Sequence, residues 1–130
     1  MKKGKKCVDL YAGNGPNDRF GTVFDGMVTS EKFQSLSLGA RYFYILCRVQ
    51  SQSKHGKACL YKHSEEYGRT YGDKCFVFPA SHQMAYGIKK GNAVRYIKEL
   101  IKEGFIECIE NNSHMRKVNV YAFSDRWKGT

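Results

Sequence analysis

Apolar residues in this chain switch between a helical and an alternating period at identifiable points, and those switches delimit the elements. Tyr42-Phe43-Tyr44-Ile45-Leu46-Cys47 is apolar almost all round, broken nearby only by Arg41, Arg48 and Gln50. That run predicts a helix over 38–51, buried on most sides, with Ser37 as its N-cap. Thr29 and Ser30 offer cap hydroxyls for a short helix over Glu31 to Ser35, and ordered structure is expected to begin near Met27. Cys75-Phe76-Val77-Phe78 reads as a short strand closed by Pro79, since proline cannot donate to a ladder. Ser81 is expected to cap a helix reaching about Tyr86, with Met84 and Ala85 turned inward. Gly87 then supplies a left-handed helix end, and Ile88 buries itself to lock the turn. Ala93, Ile97, Leu100 and Ile101 make one apolar stripe, predicting a helix over 90–103 that Gly104 stops. Phe105–Ile109 and Lys117–Phe123 alternate as two strands around the turn residues Asn111-Asn112-Ser113.

Other stretches carry weaker signals. Residues 1–26 join a basic cluster, MKKGKK, to the loop-forming AGNGPNDRFG, and read as a loosely docked arm ahead of one domain over 27–130. The arm is either a solubilising tail or a DNA contact. SQSKHGKA (51–58) reads as a surface loop. Within 59–74, CLYKHSEEY has room for two helical turns before Gly68 and Gly72 break the pattern. Trp127 is expected to pin the C-terminus onto the core.

Composition narrows the class. A chain of 130 residues with 42% hydrophobic content can bury a core of its own, which argues against wholesale disorder. Twenty-two Lys and Arg against 12 Asp and Glu give a net charge of +10, which suits a polyanionic partner. Five widely spaced cysteines without a CxxC pair, and no apolar signal segment, point to a reducing cytoplasm. No stretch approaches membrane-spanning length.

Two helices joined by a tight turn, the second presenting Lys and Arg, outline a helix-turn-helix, and the hairpin after it makes the outline an α+β winged helix. The expected partner is double-stranded DNA. Asn92 and Arg95 have the chemistry to read adenine and guanine edges. Lys89 and Lys90 suit phosphates at the helix start. Ser81, His82 and Lys98 complete the candidate contacts on the two helices, although a solvated face also accommodates Lys98 and Lys102. His114, Arg116 and Lys117, near the hairpin tip, suit a minor groove or a flanking phosphate, or are simply a solvated tip. Tyr96 is expected to pack into the core. A homodimer or tandem binding on repeated sites is open.

The order of these elements resembles the winged-helix N-terminal domains of plasmid replication initiators from Gram-positive bacteria, and kindred proteins of phages and conjugative elements. The resemblance runs over MVTSEKFQSLSLGARYFYILCRVQS, CFVFPASHQMAYGIKKGNAVRYIKELIKEGFIE and VNVYAFSDRWK, about residues 24 to 128. Leu36-Ser37, Ala40 and Asn119-x-Tyr121 stand where that group has its Leu-Ser, Ala and Asn-x-Tyr positions. The resemblance implies action at a replication or transfer origin, as an initiator-like protein or relaxosome accessory factor. Lys89-Lys90-Gly91-Asn92 replaces the usual Ser and Thr there, so capping and target sequence are expected to differ. No second domain for assembly or helicase recruitment follows the hairpin, which keeps a small transcriptional regulator open.

Catalysis is not expected. Cys59-x3-His63 and Cys75-x6-His82 do not match paired zinc knuckles, Gly13-Asn14-Gly15 is no phosphate cradle, and Glu65-Glu66 beside His63 suits a charged loop. No cofactor or metal is implied. The remaining rivals are a winged-helix protein-interaction module without DNA binding and a binder of single-stranded nucleic acid through the tyrosines.

Overall fold

A computed structural model describes residues 23–52, 75–111 and 118–129. Among these residues, five α-helices and three strands occur in the order α1 (Asp25–Val28), α2 (Glu31–Ser35), α3 (Leu38–Ser51), β1 (Cys75–Val77), α4 (Ala80–Ala85), α5 (Lys90–Lys102), β2 (Ile106–Glu110) and β3 (Val120–Phe123). A single 3-10 turn, Arg126–Lys128, follows β3. The architecture is α+β, with an antiparallel sheet in the order β1-β3-β2. The expected arm at 1–26 and the stretch 59–74 lie almost wholly outside the described residues. Asp25 nevertheless opens α1, two residues before the expected start at Met27.

Capping follows the sequence at the starts of α2 and α3. Ser30 accepts a hydrogen bond from the Phe33 amide and starts α2. Ser37 accepts from the Ala40 amide and starts α3 where its pattern begins. Thr29 instead donates its hydroxyl to the Asp25 carbonyl, at the end of α1.

The core is aromatic. Phe43, Tyr44, Phe76 and Phe105 are almost wholly buried, with Met27, Leu100 and Ile106 between them. Tyr44 meets Phe105 and Phe123 edge to face at 5.9 and 5.8 Å, while Phe76 stacks on Phe123 at 4.6 Å. Such pairs add specific geometry to the area they bury. Trp127 stacks on Phe105 at 5.7 Å, and its amide donates to the Gly104 carbonyl, fastening the C-terminal turn as expected. Cys47 is sealed in the core, and desolvation holds its thiol far above the ordinary range. Burial, with the Glu107 carboxylate adding to it, pushes Cys75 up to about 11.

Strand β3 lies between β1 and β2, and all four of its residues are buried. Phe76 pairs with Tyr121 on one side, and Cys108 pairs with Tyr121 on the other. An extra residue at Ile109 shifts the β2–β3 register between Cys108 and Glu110, and such bulges bend the strand and increase its twist.

Helix α3 departs from the expectation of burial on most sides. Ala40, Phe43, Tyr44 and Cys47 face inward, but Leu38, Tyr42 and Ile45 are exposed. Aromatic and aliphatic residues on both sides of this helix hide its direction from a count of apolar positions. Gln50, polar in the pattern, is buried because its amide donates to the Val77 carbonyl and joins β1 to α3.

Candidate nucleic-acid interface

Helices α4 and α5 meet through a turn whose geometry the backbone dictates. Gly87 has φ +85°, a left-handed conformation that costs glycine little. The Gly87 amide donates to the Met84 carbonyl and the Ile88 amide to the Gln83 carbonyl, at 2.9 and 3.0 Å. These are the paired bonds of a Schellman ending. Ile88 is buried behind the turn, as its position predicts. Gly104 closes α5 with the same pair of bonds, to Ile101 and Leu100.

The start of α4 differs from expectation. Pro79, not Ser81, occupies the N-cap position, and no side chain caps this helix. The inward side is also not the expected one: Met84 is 65% exposed and Ala85 is exposed, while Gln83 turns inward. Gln83 donates its amide to the Phe78 carbonyl, where β1 ends, so its burial is compensated.

Helix α5 has two contrasting sides. Ala93 and Leu100 are buried, with Ile97, Ile101 and Tyr96 half-buried against the same core. The ring of Tyr96 lies against α3, 6.0 Å from Phe43, and a Cβ at Gly39 would overlap it. The outward side carries Lys90, Gly91, Val94, Arg95, Lys98 and Lys102, all exposed. Lys90, Val94 and Lys98 are four residues apart and form one ridge, so Lys98 lies near the middle of the face rather than at its margin. Among the described residues, none of the exposed cations Lys89, Lys90, Arg95 or Lys98 is paired with a carboxylate.

Asn92 and Arg95 come together as their spacing suggests. The Arg95 guanidinium donates to Asn92 Oδ1 at 2.8 Å and lies 5.5 Å from the Tyr96 ring. Asn92 is half-buried and sits towards the rim of the face, whereas Arg95 is exposed. Lys89 occupies the N-cap position without a side-chain cap bond. The first amides of α5 therefore project beside two ammonium groups, a favourable place for an anion.

His82 and Ser81 occupy different settings. Ser81 is exposed on the first turn of α4. His82 is half-buried, with Nδ1 2.8 Å from the Gln50 amide nitrogen, so it helps tie α4 to α3. His114, Arg116 and Lys117 lie outside the described residues, as do Cys59 and His63. Asn119 and Tyr121 are joined by a hydrogen bond from the Asn119 amide to the Tyr121 hydroxyl at 3.3 Å. A cleft of about 310 Å³ separates α5 from this strand, between Lys90 and Val94 on one wall and Asn119 and Tyr121 on the other.

Two residues acquire roles the sequence pattern conceals. Glu99, an acid among lysines, is turned to α3: Ser37 donates its amide and hydroxyl to the two carboxylate oxygens at 3.0 and 2.8 Å. A carboxylate at that helix N-terminus is favoured by the dipole and fixes α3 to α5. Val94, 45% exposed between two lysines, gives the cationic face an apolar point.

No protein-family model matches the chain, and neither a curated protein nor a solved structure matches it. Among the described residues, no helix is long and apolar enough to cross a membrane.

Proposed function

We propose that this chain is a winged helix-turn-helix protein that binds double-stranded DNA sequence-specifically, inserting α5 in the major groove, without enzymatic activity. The observation that carries the reading is the start and outward face of α5: Lys89, Lys90, Arg95 and Lys98, which no carboxylate among the described residues pairs, beside an uncapped helix start that follows a tight glycine turn from α4. An α-helix fits the major groove, and unpaired Lys and Arg replace the counterions condensed on phosphate. Lys89 and Lys90 take phosphates. Arg95 reads a guanine edge, with Asn92 holding its guanidinium in the free protein, and Val94 suits the methyl group of thymine. The resemblance to initiator domains extends the proposal to a replication or transfer origin of a plasmid, phage or conjugative element.

Selection of bound duplex from a random pool supplies the preferred site, and anisotropy titrations then divide the roles. Arg95→Ala is expected to cost about 1–3 kcal/mol on the selected site and little on random duplex. Lys90→Ala is expected to weaken both equally. Equal losses from the two changes on both duplexes reject the division of labour. Absence of duplex binding at moderate salt rejects the function and favours a protein-interaction module.

A further inference from the structure

The cleft between α5 and β3 measures about 310 Å³, close to the roughly 300 Å³ at which small-molecule sites begin. Ala93, Val94 and Ile97 give it an apolar side. Its polar groups converge from both walls: Lys90 from the first turn of α5, Tyr121 from β3, and Asn119 just before that strand. Gln83 also borders the cleft, but its amide is engaged by the Phe78 carbonyl. Among the described residues no Asp or Glu lines it. Tyr121 is only 7% exposed. Its hydroxyl accepts from the Asn119 amide at 3.3 Å, and among the described residues nothing accepts its own proton. Burial holds that hydroxyl above its ordinary pKa, so the proton stays in place at neutral pH. A donor kept at the edge of a cleft without an acceptor calls for a ligand that supplies one. Across from it stands the Lys90 ammonium, which no carboxylate among the described residues pairs. The dipole at the start of α5 adds to the positive potential there.

We propose that this cleft binds a small aromatic carboxylate, its ring against Val94 and Ile97 and its charge between the Lys90 ammonium and the Tyr121 hydroxyl. The charge follows from the donors, since one ammonium and one hydroxyl match the two oxygens of a carboxylate. Phosphate fits less well, because its further oxygen and charge would lose water against an apolar side. The ring follows from the lining. Aliphatic side chains of α5 and the rings of Phe78 and Tyr121 offer contact to an apolar body. A rigid ring also loses less conformational freedom there than a flexible chain. Lys90 cannot serve a carboxylate and a DNA phosphate at once, so the ligand weakens duplex binding. That antagonism rests on the DNA reading, whereas the binding itself does not.

Titration of the whole chain with benzoate in the absence of DNA, followed by calorimetry and methyl NMR, tests the proposal. The expected result is saturable binding that shifts the methyl resonances of Val94 and Ile97. Benzamide, neutral at the same size, and inorganic phosphate, which lacks the ring, should each bind about tenfold more weakly or worse. Lys90→Ala and Tyr121→Phe should each weaken benzoate about tenfold. Lys102→Ala removes an equal charge from the other end of α5 and should not. Absence of saturation in the millimolar range overturns the site. So does a loss from Lys102→Ala equal to that from Lys90→Ala, which would mean diffuse attraction to a basic chain. Benzamide binding as tightly as benzoate overturns the carboxylate. Lys90 is on the surface, so its variant keeps the test decisive even where Tyr121→Phe lowers the melting temperature. Saturating benzoate should also weaken binding of the selected duplex, and an unchanged duplex affinity in a chain that binds benzoate overturns the antagonism.

Discussion

Helices α3 and α5 bury similar faces in one core, yet they offer opposite surfaces to water. The outward side of α5 is cationic, with Lys90, Arg95 and Lys98 exposed and met by no carboxylate among the described residues. The outward side of α3 is apolar, and both of its arginines are folded away over aromatic rings. The difference teaches that a basic chain need not be basic everywhere. The two arginines of α3 are turned onto carbonyls and rings and act as packing, whereas the exposed ammonium groups of Lys90 and Lys98 act as charge. On the proposed reading, counterion release weakens duplex binding through α5 as salt rises, while the apolar side of α3 has no charge to take part in it.

The contrast between the helices disappears most completely if both faces lose their support. Leu100, on the inward side of α5, is fully buried. Leu100→Ala is expected to cost roughly 2–5 kcal/mol of folding stability, measured by denaturant unfolding, because the removed atoms leave a cavity. Duplex binding should then fail with it. A loss under 1 kcal/mol would mean that α5 is not seated as described.

A smaller change separates the faces. Arg95→Ala, at about 1–3 kcal/mol on the selected duplex, should leave folding stability untouched, while Ile45→Lys should leave duplex affinity untouched. A loss of duplex affinity from Ile45→Lys erases the distinction between the helices. Weaker still is the link between them. Glu99→Gln keeps the shape but removes the charge that receives Ser37, and should destabilise the fold by about 0.5–2 kcal/mol. A neutral result in thermal unfolding would show that the Ser37–Glu99 pair does not fix α3 to α5.

How much of the fold is visible in the sequence depends on whether a local rule governs the residue. Ser30 and Ser37 cap where their positions predict, Gly87 and Ile88 make the turn, and the stripe from Ala93 to Ile101 sets the inward side of α5. Each rests on chemistry within one helical turn. Long-range partners are not legible. Glu99 sits on the polar side of α5 by spacing, and only the approach of Ser37, sixty-two residues away, gives it a role. His82 has the chemistry of a DNA contact, but Gln50 meets its ring across the fold. The outward row on α3 is hidden because apolar residues surround that helix, and periodicity cannot choose a side when both are apolar. Val94 carries no signal of its own, since a single apolar residue between two lysines is unremarked by any period. Pro79 displaces the start of α4 because it already has the φ that a cap position accepts, without any hydroxyl.

The salt dependence of duplex binding tests the cationic face most directly. For the wild-type chain, the logarithm of the association constant should fall linearly with the logarithm of salt concentration. Removing Lys89 and Lys90 together, as alanines, should flatten the slope by about two, one for each ammonium group taken from a phosphate. A slope unchanged by the double substitution, or affinity indifferent to salt, would contradict the account.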